Sequence, residues 1–135
     1  MSVEISDIRE GLATNLKTLG ESRQVSAYQL ENATPASLMV GNPGEIVKVA
    51  MGSYQIMFPI QGIAAAATEK GAQIRLDKWL SPTGSLSVWR AIESDKTLGG
   101  KVSNAIVLRC DGSQFITMKS GVEMLGSTWH VQIEL

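Results

Sequence analysis

The sequence is short of the side chains that most often carry chemistry, because its 135 residues include one cysteine and one histidine. The lone Cys110 excludes an intrachain disulfide framework and any zinc site built from several cysteines. It ends an apolar run, which is typical of a small half-buried hydrophobic residue. His130 falls on the polar face of the last predicted strand, where a solvated or interface side chain is expected. We therefore predict no catalytic residue, since acid–base and nucleophilic sites usually need such groups.

A bias toward either sign of charge is also missing. The chain has 12 basic and 13 acidic residues, for a formal net charge of -1. No stretch concentrates Lys or Arg, which excludes the footprint of a dedicated nucleic-acid-binding protein. The N-terminus is acidic and periodic, so no signal peptide is predicted, and the apolar run around Ala65 is far too short to cross a bilayer. We expect a soluble protein made in the cytoplasm, with one domain over residues 1–135.

Recognisable ligand-binding motifs are absent as well. Glu93, Asp95 and Asp111 come nearest to a metal cluster, but their spacing matches no metal-binding loop and is typical of helix ends and turns. The glycines of GNPG (41–44) and LGG (98–100) indicate turns rather than a phosphate-binding loop or a dinucleotide-binding motif. The sequence therefore predicts no metal ligand and no cofactor-binding residue.

Helical periodicity is found in three places. The first helix is predicted over Ser6–Leu19, where apolar residues recur every three or four positions, with Ser6 as the cap and Gly20 as the end. The second is predicted over Thr68–Leu80, and Pro82 breaks it. Ser85 is the expected cap of a short third helix.

Strand-like runs fill the rest of the chain. They are found at residues 25–30, 36–40, 46–49, 54–61, 101–109 and 127–135, with a short piece near Phe115. Pro59 cannot donate to a ladder, so we expect an edge position or a bulge there. In the last run, apolar residues alternate with polar ones, so Trp129 is predicted in the core. The other two tryptophans, Trp79 and Trp89, fall on predicted apolar helix faces and are expected in the core too.

These elements predict an α+β fold. We expect a single domain with a mixed β-sheet and about three helices packed on it, in the order α-β-β-β-α-α-β-β. The helices must pack on the sheet, because a narrow apolar stripe is not stable as an isolated helix. Composition, periodicity and spacing indicate a binding or structural domain.

One long segment resembles a known family. Residues 75–108, RLDKWLSPTGSLSVWRAIESDKTLGGKVSNAIVL, contain L-D-x-[YW]-L-[SA]-P-[ST]-G, then S-V-x-x-A-I-E, then D-x-T-L-G-G. This order is similar to the middle of the tail terminator proteins of long-tailed bacteriophages that infect actinobacteria. The matching residues are Leu76, Asp77, Trp79, Leu80, Ser81, Pro82, Thr83, Gly84, Ser87, Val88, Ala91, Ile92, Glu93, Asp95, Thr97, Leu98, Gly99 and Gly100. The start DIREGLATNL and the ending GVEMLGSTWHVQIEL resemble the same family, and residues 22–53 are the least diagnostic part.

The resemblance implies a structural virion protein without enzymatic activity. Such proteins form a hexameric ring that caps the tail tube, ends tail polymerisation and provides the head-attachment surface. The implied partners are further copies of the chain, the tail tube protein and the neck or head-completion proteins. Genomic DNA passes through the lumen without specific binding, and no membrane is involved. The expected location is the head-proximal end of the tail, after assembly in the host cytoplasm.

Three alternatives remain at this point. A head-completion or neck protein of the same phage would share the ring setting, and ring stoichiometry and binding to the tail tube would separate it from a terminator. A tail tube subunit is disfavoured, because too few strands are predicted for the sheets that build tubes. A small enzyme would need a pocket that joins His130, Cys110 and a carboxylate.

The segment GNPGEIVKVAMGS (41–53) is the predicted contact region. It has turn residues at both ends, with Glu45 and Lys48 between them. Mobile loops on a rigid scaffold are where partner contacts usually lie. We expect this loop to project toward the tail tube or the lumen, with a plain surface hairpin as the equal alternative.

Overall fold

The computed structural model describes residues 4–19, 24–28, 37–66, 70–117, 121 and 123–135. Within them the chain forms three α-helices and a seven-stranded sheet, which confirms the predicted α+β class. In chain order the elements are α1 (Ile5–Leu16), β1 (Gln24–Ser26), β2 (Ser37–Val40), β3 (Ile46–Ala50), β4 (Ser53–Ala66), α2 (Lys70–Leu80), α3 (Val88–Ile92), β5 (Asn104–Cys110), β6 (Gln114–Thr117) and β7 (Glu123–Glu134). Short 3-10 turns follow α1 and α3.

The sheet is built on two long central strands. β4 and β7 pair antiparallel along almost their whole length, from Gln55 opposite Glu134 to Ala66 opposite Met124. At one end β3 flanks β4 and β5 flanks β7, and at the other end β2 flanks β4 and β6 flanks β7. β1 extends the sheet by pairing parallel with β2, so the sheet is mixed. Each end of the central pair therefore has its own outer strands.

The described helices pack on one face of this sheet, called here the helix-bearing face. Trp129, Val131 and Ile133 of β7 are fully buried there, as the alternation predicts. Trp79 of α2 is also fully buried, whereas Trp89 is half-buried and donates its indole N–H to the carbonyl of Leu80 at 3.1 Å. The core predictions for Trp79 and Trp129 are confirmed, and Trp89 lies at the margin of the core.

A glycine in β4 makes room for the two buried indoles. A Cβ added at Gly62 would lie 2.9 Å from the Trp129 ring, 3.2 Å from the Trp79 ring and 3.0 Å from Leu38. The weak strand propensity of glycine is therefore outweighed by the packing that it permits.

Both cap predictions are wrong, and local hydrogen bonds show why. In α1 the backbone N–H of Glu4 donates to the Asp7 carboxylate at 3.0 Å, so the helix begins before Ser6. In α3 the hydroxyl of Ser87, rather than that of Ser85, accepts from the backbone N–H of Arg90 at 3.3 Å. The turn that contains Gly84, with φ of 117°, delays the helix past Ser85. The predicted ends at Gly20 and Thr68 lie outside the described residues.

The prediction of an edge position or a bulge at Pro59 is also wrong, because β4 is a central strand and Pro59 lies in regular register opposite His130. The Pro59 carbonyl accepts from the backbone N–H of Gly41 at 2.7 Å, in the segment that connects β2 to β3. Main-chain groups of one residue point to the same side of a strand, so the missing N–H of Pro59 faces that connection rather than β7. A Cβ at Gly41 would lie 2.7 Å from the proline ring. Pro59 is tolerated because a glycine passes beside it there.

Candidate interaction surface

The segment for which a projecting loop and a surface hairpin were equal predictions is a β-hairpin, called here the β3 hairpin (residues 41–56). β3 pairs with the start of β4, and Met51 and Gly52 form the turn, with a φ of 78° at Gly52. All five residues of β3 are exposed. Exposure reaches 51% at Ile46, 53% at Val49 and 96% at Met51. The hairpin therefore presents apolar side chains to solvent along its length.

Apolar side chains emerge on both faces of the β3 hairpin. Ile46 lies opposite Ile56, a core residue, so it projects on the helix-bearing face. Val47 lies opposite Gln55 and projects on the other face. The ammonium group of Lys48 lies 6.0 Å from the centre of the Tyr54 ring, within reach of a weak cation–π contact. Since the β3 side chains on the helix-bearing face stay exposed, the described helices do not cover β3.

The root of the β3 hairpin is fixed to α1 by Arg9, a residue that the sequence patterns did not single out. Its buried guanidinium donates to the carbonyls of Ala27 and Val40 at 3.0 and 3.1 Å, and to the side-chain oxygen of Asn42 at 2.9 Å. It also lies 4.8 Å from the centre of the Tyr28 ring. Asn42 begins the segment that leads into β3. Arg9 therefore holds the root of the hairpin against α1, together with the backbone hydrogen bonds from Gly41 and Gly44 to β4.

A second buried polar residue of α1 ties the helices together. The amide of Asn15 donates to the carbonyls of Ile92 and Asp95 at 2.9 and 3.0 Å, and so satisfies groups at the end of α3. Sequence could have indicated Arg9 and Asn15 only as polar residues next to the apolar stripe of α1. Their role depends on which carbonyls the fold places nearby.

The outer edge of β5 is covered, in contrast to that of β3. The backbone N–H of Val107 donates to the carboxylate of Glu93 at 3.0 Å, and Glu93 lies in the 3-10 turn after α3. Ala105 and Val107 are buried. A side chain thus takes the place that an added strand would need.

The three groups that a small enzyme would require do not converge. The Nε2 atom of His130 lies 2.9 Å from Asp111, whose other oxygen lies 2.9 Å from Arg109. Cys110 projects on the opposite, helix-bearing face, where its Sγ lies 3.2 Å from the Ser127 hydroxyl. Glu93 and Asp95 belong to the turn after α3. Across the described ranges, no cluster of three or more His, Cys, Asp or Glu residues could hold a metal ion.

The carboxylate of Asp95 organises the turn of the D-x-T-L-G-G motif. It accepts from the Thr97 hydroxyl and from the backbone N–H of Gly99, both at 2.9 Å, and from the Thr97 N–H at 3.2 Å. These bonds, the Thr97 hydroxyl first, lower the pKa of Asp95 below its usual 3.8. Leu98, Gly99 and Gly100 all have positive φ, so the turn is tight. The motif forms a structural turn that leads into β5.

A shallow depression of about 720 Å³ lies between the 82–84 turn and α3. Two of its polar side chains are engaged in the fold, since the Trp89 indole donates to the Leu80 carbonyl and the Glu93 carboxylate accepts from Val107. No protein-family model and no curated protein matches the chain. In the part of the chain that the structure describes, no helix is long and apolar enough to cross a membrane. The exposed β3 hairpin is the feature that most needs a functional explanation.

Proposed function

We propose that the chain is a tail terminator of a long-tailed bacteriophage. In this proposal it is a structural subunit, without enzymatic activity, of a hexameric ring that caps the tail tube and ends tail polymerisation. The ring also offers the surface to which the filled head attaches. The observation that carries the proposal is the β3 hairpin, whose paired strand exposes apolar side chains on both faces. Such exposure is unfavourable in a free subunit and is typical of a surface that a partner buries.

The sequence resemblance over residues 75–108 supports the same proposal. In the fold this segment forms the second half of α2, all of α3, the Asp95 turn and most of β5. Its positive-φ glycines, Gly84, Gly99 and Gly100, shape the turns that place the helices over the sheet. The matched residues therefore maintain the fold, and the contacts with partners fall to surfaces outside the motif.

A closed ring also needs two unlike surfaces on each subunit, because neighbours meet head to tail. The chain has such a pair: an open apolar edge at β3 and a different edge at β5 and β6. Met51, at the hairpin tip, is the most exposed large apolar residue described. We assign the tip to contacts with the tail tube or the lumen, and the near-neutral charge suits a channel through which DNA passes without being held.

The proposal is tested by asking what the purified chain caps. It is incubated with tail tubes and, separately, with DNA-filled heads of the phage that encodes it, and both are imaged by negative-stain electron microscopy. We expect rings at tube ends. Binding to heads alone would favour the head-completion alternative, and a tube-like copy number in cross-linked virions would contradict the terminator role. The matched variants are Met51→Ser in the hairpin tip and Ile74→Ser on α2, of which only the first should reduce capping.

A further inference from the structure

We infer that the surface around the connection between α2 and α3 binds an acidic segment of a partner protein. The connection comprises residues 81–87, and five side chains with N–H or O–H donors surround it, called here the donor surface: Lys78, Thr83, Ser85, Arg90 and Lys96. This surface shares no residue with the β3 hairpin, so its role does not depend on the proposed ring. It provides a second contact, for a segment that carries carboxylates next to an apolar residue.

Three depressions meet at this connection. The largest, of about 720 Å³, shares Arg90 and Ser94 with a second of about 350 Å³. It shares Thr83 and Gly84 with a third of about 250 Å³, and the second and third share Ser85. The depressions therefore form one continuous concave region. The two larger ones have volumes in the range that bound ligands occupy.

The cations of the donor surface have no partner within the described part of the chain. Lys78, Arg90 and Lys96 are exposed, and none of their side chains forms an ion pair or a hydrogen bond with another described residue. Elsewhere in the described ranges, only Lys17 and Lys70 are free in the same way. The remaining described cations are engaged by carbonyls, a carboxylate or an aromatic ring: Arg9, Lys48, Arg75, Lys101 and Arg109. Unpaired positive charge is thus concentrated around residues 81–87.

Two hydroxyl groups add further unused donors. Thr83 and Ser85 are exposed, and their side chains make no hydrogen bond to another described residue. The neighbouring hydroxyl of Ser94 is already used, because it donates to the carbonyl of Ala91 at 2.7 Å. A free hydroxyl can donate to a carboxylate oxygen. The donor surface therefore combines positive charge with free N–H and O–H groups, which is the complement of a carboxylate.

Trp89 provides the apolar part of the site. Its ring is half-buried and lines the largest depression together with Pro82 and Gly84. Its indole N–H donates to the carbonyl of Leu80 at 3.1 Å, so the ring is held in one orientation. A fixed and partly exposed tryptophan is a frequent anchor for a partner's apolar side chain. An acidic segment that also carries an apolar residue matches this arrangement.

The carboxylates near the largest depression are turned to donors of the fold. Glu93 lines the depression, but it accepts from the backbone N–H of Val107 at 3.0 Å. Asp95 lies in the following turn and accepts from the Thr97 hydroxyl and from the backbone N–H of Gly99, both at 2.9 Å. The cations of the donor surface are therefore left to attract carboxylates from outside the chain.

Nucleic acid is the other anion that a cationic surface can bind, and the observations favour a protein segment. A phosphate backbone is usually contacted by cations along an extended face, whereas the cations here surround a concave region. Asp77 is exposed beside Lys78 and Glu93 lines the largest depression, so an unbroken line of phosphates would also meet negative charge. The carboxylates of a peptide are separated by other side chains and can be placed at the cations alone.

The three cations and Trp89 differ from the residues that carry the sequence resemblance. They occupy positions that the motif of residues 75–108 leaves unspecified. The matched Pro82 and Gly84 shape the connection itself, and Gly84 has a φ of 117°. The contact side chains are therefore distinct from the matched residues that maintain the fold.

Titration of the purified full chain with peptides tests the inference. The probe is a short peptide of glutamate and leucine, and the matched control has glutamine in place of every glutamate. Binding is followed by the indole N–H signals of Trp79, Trp89 and Trp129 in NMR spectra. We expect the glutamate peptide to shift the Trp89 signal and to leave the two buried indoles unchanged. The glutamine peptide should bind roughly tenfold more weakly, and added salt should weaken binding of the glutamate peptide.

Charge reversal locates the contact. Arg90→Glu and Lys96→Glu should each weaken binding of the glutamate peptide roughly tenfold, and the neutral Arg90→Gln and Lys96→Gln should weaken it less. Lys70→Glu is the matched control, because it makes the same change of charge at an exposed and unengaged cation outside the depressions. All these variants should keep the wild-type stability in urea, since the side chains that they change make no contact that holds the fold.

Several outcomes would overturn the inference. These are a glutamate peptide that does not bind, equal binding of the two peptides, and a Lys70→Glu variant that binds as weakly as Arg90→Glu. Shifts at the β3 hairpin in place of Trp89 would also overturn it. A short DNA that binds more tightly than the glutamate peptide and displaces it would assign the surface to nucleic acid instead. Tail capping is measured separately, so the proposed function and this contact can each fail alone.

Discussion

β3 and β5 occupy equivalent places in the sheet but differ in cover. Both are outer strands at the same end of the β4–β7 pair. β5 contributes the buried Ala105 and Val107 and has Glu93 on its edge, whereas every residue of β3 is exposed. The fold thus has the means to protect an edge, and it does so where α3 and its turn pack. The open apolar edge of β3 is therefore the surface that the proposed partner contact would bury.

The largest expected loss of stability follows substitution of Trp129 in the buried core. Trp129 is fully buried among the core residues, so Trp129→Ala should lower the free energy of unfolding by about 3–5 kcal/mol, which is enough to unfold a marginal domain. Trp129→Phe should cost less, because it leaves a smaller cavity. Urea denaturation measures both. A loss of less than roughly 1 kcal/mol for the alanine variant would contradict the proposed core.

Arg9→Ala should have the next largest effect. It leaves the carbonyls of Ala27 and Val40 without their donor and should lower the free energy of unfolding by about 2–4 kcal/mol. It should also accelerate amide exchange at the root of the β3 hairpin, because Asn42 loses its contact. Arg9→Lys is the control that keeps the charge but not the forked geometry. Equal stability of the alanine variant and wild type would refute the anchoring role.

Substitution of Glu93 tests whether its carboxylate protects the outer edge of β5. Glu93→Ala should cost about 1–2 kcal/mol, since the N–H of Val107 loses its acceptor. Amide exchange at Val107 should then become faster. Glu93→Gln retains an acceptor oxygen and should stay close to wild type. If exchange at Val107 is unchanged in the alanine variant, Glu93 does not protect that edge.

The Asp95 turn should make a small, pH-dependent contribution. The pKa of Asp95 in the folded chain lies below 3.8, so its contribution is present above that value and is lost as the pH falls through the lower folded-state pKa. Asp95→Asn should therefore be less stable than wild type near neutral pH and should converge with it in strong acid. Urea unfolding of both proteins across this range gives the comparison. A constant difference at all pH values would exclude linkage through this carboxylate.

The smallest effect on stability is expected at the open edge. Met51→Ser changes a side chain that is almost fully exposed, so the free energy of unfolding should shift by less than about 0.5 kcal/mol. Capping of tail tubes should nevertheless fall. A stability loss comparable to that of Arg9→Ala would mean that the hairpin tip packs on the domain instead.

The sequence predicted correctly those elements in which the apolar periodicity agrees with the face that is buried. The alternation around Trp129 and the stripe of α1 are set by burial on one face, so they could be predicted directly. The central position of Pro59 could not, because it depends on Gly41 passing beside it in space. Arg9, Asn15 and Ser87 act through groups that the fold or a local turn supplies. The strand at residues 46–49 was predicted, but its position beside β4 and its open edge depend on the pairing of the whole sheet.

The most direct measurement of the central claim is the length of tails made by a phage that lacks this chain. Lysates of the deletion mutant and of the mutant complemented with the wild-type chain are imaged by negative-stain electron microscopy, and tail lengths and head attachment are scored. A terminator that caps the tube should leave, when absent, unattached heads and tails of uncontrolled length, and complementation should restore both features. Tails of normal length joined to heads in the deletion mutant would contradict the account.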